Sequence, residues 1–103
     1  MLEPAQEVAS RFSSPTEHYN KALELYQKGR YARARELFHE YIARYPDSVV
    51  YRIALYYLGH CYQLLGDDRE ALIIFNRIVA AYGDDDFWGE QSFKRIRQIR
   101  GEE

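Results

Sequence analysis

A chain of 103 residues, 47% apolar and 29% charged, has the composition of one small globular domain with no room for separate catalytic and regulatory domains. Fourteen basic and sixteen acidic residues give a net charge of −2, which argues against a general nucleic-acid or membrane-surface binder. The lone Cys61 excludes an internal disulfide, and no apolar run approaches the roughly 20 residues of a membrane span, so no membrane insertion is expected.

The start, Met1-Leu2-Glu3-Pro4, lacks the basic and apolar regions of a signal peptide. The expected location is therefore cytoplasmic, or periplasmic if a leader has been cleaved upstream. Residues 1–13 carry Ala5, Val8, Ala9 and Phe12 at helical spacing, a short amphipathic segment. Fewer than about ten residues of helix do not hold alone. Three arrangements stay open: packing over the residues that follow, joining a neighbouring chain, or a frayed terminus.

A first helix starts at Ser14-Pro15-Thr16-Glu17. Ser14 can cap, Pro15 suits the first helical position, and Glu17 can complete a capping box. Gly29 ends it. Tyr31, Ala34, Leu37, Phe38, Tyr41, Ile42 and Tyr45 then line one face of a second helix, stopped by Pro46. A third helix is predicted over about 48–65, apolar nearly all round and therefore set between neighbours. Asp67 and Glu70 open a fourth helix carrying Ala71, Ile74, Phe75, Ile78, Val79 and Tyr82, ended by Gly83. The last helix begins with Asp84, Asp85 and Asp86 and ends with Lys94, Arg95, Arg97 and Arg100. Acid first and base last is the order that the helix dipole favours, so a solvent-facing charged helix explains the pattern better than a metal site or a nucleic-acid patch.

Sliding the chain against itself by 37 residues brings Tyr19 onto Tyr56, Gly29 onto Gly66, Ala34 onto Ala71, Phe38 onto Phe75 and Tyr45 onto Tyr82. Ala22 meets Gly59, and Leu37 meets Ile74. A fixed period of this size marks stacked units of one supersecondary element each. The chain divides into a leading segment (1–13), a first unit (14–47), a second unit (48–83) and a terminal helix (84–103).

These residues resemble the tetratricopeptide repeat (TPR) family over residues 15–101. The second unit is the more specific, with Leu55, Leu58-Gly59 and Tyr62 ahead of Gly66, Ala71, Phe75 and Ile78; the first has Ala22, Gly29, Tyr31, Ala34, Phe38 and Pro46 at the family spacing. The resemblance implies an all-α fold of helical hairpin repeats, a right-handed solenoid of two repeats plus a C-terminal capping helix. His18 departs from the pattern where a large apolar residue is usual, Asp68 stands where the first unit has Tyr31, and Gly83 replaces a proline. The period exceeds the family's usual 34, with the excess in the loop after each second helix. That loop and the Tyr45-Pro46-Asp47-Ser48 ending look most like TPRs of bacterial cell-envelope proteins, the Tol-Pal accessory protein and barrel-assembly lipoproteins. Matching Phe93 and Ile96 to Leu55 and Leu58 puts Arg97 in the place of Gly59, which marks the last helix as a polar cap. Two repeats are fewer than the three or so that usually stand alone.

The resemblance further implies binding through a concave face lined by the first helix of each pair. Here that face is expected to carry Tyr19, Leu23 and Tyr26, then Tyr56, His60 and Gln63, then Lys94 and Gln98. Tyrosine suits such a role by joining a large apolar ring to a polar tip. Tyr19 and Tyr56 are expected in the groove, Tyr26 is open between groove and core, and Tyr31, Tyr41, Tyr45, Tyr62 and Tyr82 are expected to fill the core. The family's clamp for a C-terminal carboxylate is not expected, because Tyr19, Leu23 and Tyr57 hold its places. Leu72 and Ile73 lie off the buried stripe of the fourth helix; they pack against the cap or form an apolar patch that, with Val8 and Phe12, would serve self-association.

No catalytic constellation, metal site or cofactor is expected. His18, His39 and His60 lack metal-ligand spacing, Cys61 and the adjacent His60 point apart on a helix, and there is no phosphate loop or nucleophile elbow. Charge is uneven: residues 21–52 hold seven basic and four acidic side chains, residues 53–92 two and seven. The expected function is a small adaptor whose groove takes a peptide or helix of a partner protein. The alternatives are a homo-oligomerisation module and a cell-envelope assembly accessory. The register predicts that Ala34→Leu or Ala71→Leu lowers stability by about 1–3 kcal/mol through overpacking; urea unfolding that leaves either variant as stable as the parent would refute it.

Overall fold

The computed structural model describes residues 12–102. Five helices follow one another: α1 Pro15–Gln27, α2 Tyr31–Arg44, α3 Tyr51–Leu64, α4 Asp68–Tyr82 and α5 Phe87–Arg100. Each packs on the next in sequence, and α5 also reaches back to α3. This is an all-α repeat solenoid, with α1–α2 and α3–α4 as paired hairpins and α5 at the end. Val8 and the rest of the leading segment before Phe12 lie outside the described residues.

Local chemistry sets the boundaries. The Ser14 hydroxyl accepts from the Glu17 amide at 3.1 Å, and Asp67 accepts from the Glu70 amide at 3.3 Å, each satisfying an amide that the first turn leaves open. Glu17 does not close the expected reciprocal box; its carboxylate instead takes the Ser13 hydroxyl. Gly29 and Gly66 leave α1 and α3 with φ of +78° and +84°, a region costly for any residue with a Cβ. The third helix starts three residues later than expected. Ser48 stays in the preceding turn because its hydroxyl accepts from the Val50 amide at 3.1 Å and bonds the Tyr41 hydroxyl at 2.8 Å.

The core is built on small residues. Ala22, Ala34, Ala54 and Ala71 are wholly buried, as are Phe38 and Phe75. A Cβ on Gly59 would stand 2.9 Å from Cε1 of Phe75, so this pair of helices tolerates no methyl there. His18 is as buried as its apolar neighbours, at 2% exposure. Its Nε2 lies 2.9 Å from the Leu37 carbonyl oxygen, and its ring stacks on Phe12 and meets Tyr41 edge-on. The imidazole thus fills an apolar place with its polar atom paired. Of the tyrosines expected in the core, Tyr41 is fully buried, while Tyr31, Tyr45, Tyr62 and Tyr82 are half-buried.

α5 joins through a backbone contact that no sequence pattern announces. A Cβ on Gly89 would fall 1.7 Å from the Gly83 carbonyl oxygen. Asp86 caps the helix, accepting from Trp88 and Gly89 amides at 3.0 and 3.1 Å, and also receives Arg52 of α3. Desolvation opposes the charged carboxylate, but the Gly89 amide and Arg52 outweigh it and hold Asp86 below its ordinary value. Gly89, Ser92 and Ile96 turn inward, while Phe93 is 44% exposed and Arg97 is exposed. Leu72 is half-buried against the core, whereas Ile73 is 48% exposed, so the two do not form one patch. Gly89→Ala should cost about 1–3 kcal/mol through forced separation of α5 from the Gly83 turn. Chemical denaturation measures this, with Ala80→Ser on the exposed side of α4 as the neutral control.

Candidate protein-binding face

The side chains of α1, α3 and α5 meet on one side of the array. Tyr19 is half-buried, its ring 6.1 Å from Phe38 and 5.6 Å from Tyr41. One turn on, Leu23 is half-buried, and Tyr26 follows with its ring 4.8 Å from Tyr57 of α3. Tyr57 lies at the centre: it stacks on Phe38 at 5.7 Å, touches Tyr56 at 5.8 Å and comes 6.1 Å from Trp88 of α5. Separations of this size, with the rings inclined or offset-stacked, are the favoured geometry for aromatic pairs.

Hydrogen bonds fix the rings from beneath. The Tyr26 hydroxyl is 2.6 Å from Nδ1 of His60. Arg95 Nε donates to the Tyr56 hydroxyl at 2.9 Å, and its guanidinium also donates to Gln98 Oε1 at 3.1 Å. Tyr56 and His60 were expected at the surface but are 5% and 9% exposed. The reason is α5: Trp88 packs on the Tyr56 ring at 5.2 Å, and Arg95 bonds its hydroxyl, so both side chains support the face from below. Gln63 is half-buried with Oε1 enclosed and unpaired among the described residues. Lys94 and Gln98 are exposed and, with Arg97 and Glu102, rim a shallow hollow of about 290 Å³.

Trp88 and Arg95 lie outside the residues expected to line the groove, and Tyr57, expected only as the holder of one of the clamp's places, sits at the centre of the cluster. Tyr57 was legible in principle, since it is the neighbour of Tyr56 on a helix apolar all round. Trp88 and Arg95 were masked by the charged pattern of the last helix.

Burial sets the charge state. Desolvation, then the nearby Tyr57 and Tyr41 hydroxyls, pushes Tyr19 up to about 12. Desolvation and the Tyr57 and Tyr56 hydroxyls likewise raise Tyr26 to about 12 against the pull of Arg95, and desolvation raises Tyr57. Desolvation, helped by Arg95, lowers His60 from 6.5 to about 4. At neutral pH the phenols keep their protons and the imidazole is uncharged. The rings therefore offer apolar area and neutral hydrogen-bonding groups, with positive charge only at the α5 end. Cys61, on the same helix as Tyr57, is wholly buried, and desolvation lifts its thiol to about 12; such a thiol is a poor nucleophile. Among the described residues no group of His, Cys, Asp and Glu could hold a metal ion, and no helix is long and apolar enough to cross a membrane.

The family model of the tetratricopeptide repeat matches residues 19–86, spanning both hairpins and more than half of the chain. The chain belongs to the tetratricopeptide repeat family. Comparisons with curated proteins and with solved structures give no match. Membership carries the general role of the family, interaction with other proteins through a repeat surface.

His60 makes stability depend on pH. Its folded value of about 4 lies below the ordinary 6.5, so the unfolded chain binds the proton more readily. The stabilising contribution is complete above pH 6.5 and is lost as pH falls towards 4. The urea midpoint should drop between pH 6.5 and 4.5, and His60→Gln should flatten that slope.

Proposed function

We propose that this protein is a small non-catalytic adaptor that binds an apolar or helical segment of a partner protein across the face shared by α1, α3 and α5. The observation that carries this reading is the half-buried row Tyr19, Leu23, Tyr26 and Tyr57, closed by Trp88. These rings retain accessible area yet are held by packing and hydrogen bonds, so little side-chain freedom is lost on binding. Lys94 and Gln98 stand at the α5 end, where they suit the carbonyl-rich C-terminus of a bound helix.

The compartment follows the partner. The Tyr45-Pro46-Asp47-Ser48 ending supports a cell-envelope role in a bacterium, with a periplasmic location; a cytoplasmic adaptor uses the same face. A partner isolated on the immobilised chain and titrated by calorimetry tests the assignment. Leu23→Asp, which removes no ring, should weaken binding by about tenfold or more (about 1.4 kcal/mol). Tyr57→Ser should do the same while circular dichroism shows the helices intact. Unchanged affinity in both folded variants would remove the face from consideration.

A further inference from the structure

α5 has the position of the first helix of a repeat, but no described helix covers it as α4 covers α3. Where α3 has Leu55 at 3% exposure, α5 has Phe93 at 44%; where α3 has the buried Gly59, α5 has the exposed Arg97. Glu90, Phe93, Arg97 and Arg100 follow at intervals of three, four and three residues, a spacing that keeps them on one side of a helix. The stripe is acidic towards its start, aromatic in the middle and basic at its end. The helix dipole favours that order of charges, but it gives no reason for an exposed ring between them.

The pattern is self-complementary in one orientation. Laid parallel, two such helices would set Glu90 beside Glu90 and Arg97 beside Arg97. Laid antiparallel about a two-fold axis near Phe93, they bring Glu90 against Arg97 of the partner subunit twice over, with the two rings together between these pairs. A two-fold contact of this kind uses the same surface on both copies and closes on itself. Arg97 already donates from Nε to the Glu102 carbonyl at 2.9 Å, which fixes its stem and uses one of the five N–H donors of a guanidinium. Asp86, one turn before Glu90, is occupied by the helix cap and Arg52, so the Glu90–Arg97 pairs carry the charge matching.

We propose that this stripe of α5 is a homodimer contact, filled by the same stripe of a second copy of this chain in antiparallel orientation. It borders the adaptor face at the hollow that Arg97 shares with Lys94 and Gln98, but none of Glu90, Phe93 and Arg97 belongs to the Tyr19–Tyr57–Trp88 row. A contact through one helix falls at the small end of specific interfaces, so association belongs in the micromolar range.

Sedimentation equilibrium of the full chain over about 1–300 µM reads the result directly. The parent is expected to dimerise within that range, and Phe93→Ser to weaken the dimer about tenfold or more. Glu90→Arg and Arg97→Glu are each expected to be monomeric alone, since each sets like charges opposite one another. Mixed in equal amounts, these two charge variants should associate again, because each then meets opposite charge at both pairs. A parent that stays monomeric throughout overturns the proposal, as does a dimer indifferent to Phe93→Ser and Arg97→Glu. A mixture that fails to recover removes the antiparallel register. Trp88 fluorescence and circular dichroism confirm that α5 is folded in each variant. Partner binding on the shared face should persist in Phe93→Ser, which separates failure of this contact from failure of the adaptor reading.

Discussion

The close approach of paired helices governs the rest of this molecule. Ala22 and Ala34 in one hairpin, and Gly59 and Ala71 in the other, place at most a methyl group between paired helices, and Phe38 and Phe75 fill the space beside them. Packing this tight has no slack for an added methyl group, since lost contacts and strain both grow steeply with small displacements. Because the same small residues recur after 37 positions, the second hairpin repeats the geometry of the first. Alternate helices then come near enough for Tyr26 to touch Tyr57, and for Tyr57 to reach Trp88.

The terminal helix is held by different means. Gly83 and Gly89 bring backbone against backbone, and Arg52 joins three elements, lying 4.1 Å over the Tyr82 ring while bonding the cap residue Asp86. A guanidinium suits this because its flat face and its edge donors act at once. The fixed position of α5 is what places Trp88 and Arg95 over Tyr56. Without it, the rings of α3 would lie open and the hydroxyl of Tyr56 would lack its donor.

Much of the fold was written in the sequence because its determinants are local or periodic. Ser14 and Asp67 announce helix starts, Gly29 and Gly66 announce ends, and the period of 37 states that one unit occurs twice. The candidate site was less legible. Tyr19, Leu23 and Tyr26 are half-buried, whereas exposure at Tyr56 and His60 depends on what α5 lays over them, and no pattern within α3 encodes that. Tyr56 and Tyr57 are adjacent and point about 100° apart on the helix, so α5 buries Tyr56 and leaves Tyr57 half-buried. Ser48 shows the same limit at a boundary: a single hydroxyl bonded to Tyr41 withheld it from the helix.

Cys61 has a use that its chemistry alone does not suggest. It is the only thiol in the chain, sits wholly buried in α3, and resists ionisation through desolvation. A thiol reagent reaches it only when α3 parts from its neighbours, so labelling under native conditions counts excursions of the middle of the solenoid. Repeat arrays open locally as well as globally, and this chain carries a built-in gauge of which it does. A partner bound as proposed across α1, α3 and α5 would hold that middle shut, and its occupancy would then be readable as slowed labelling of a buried thiol.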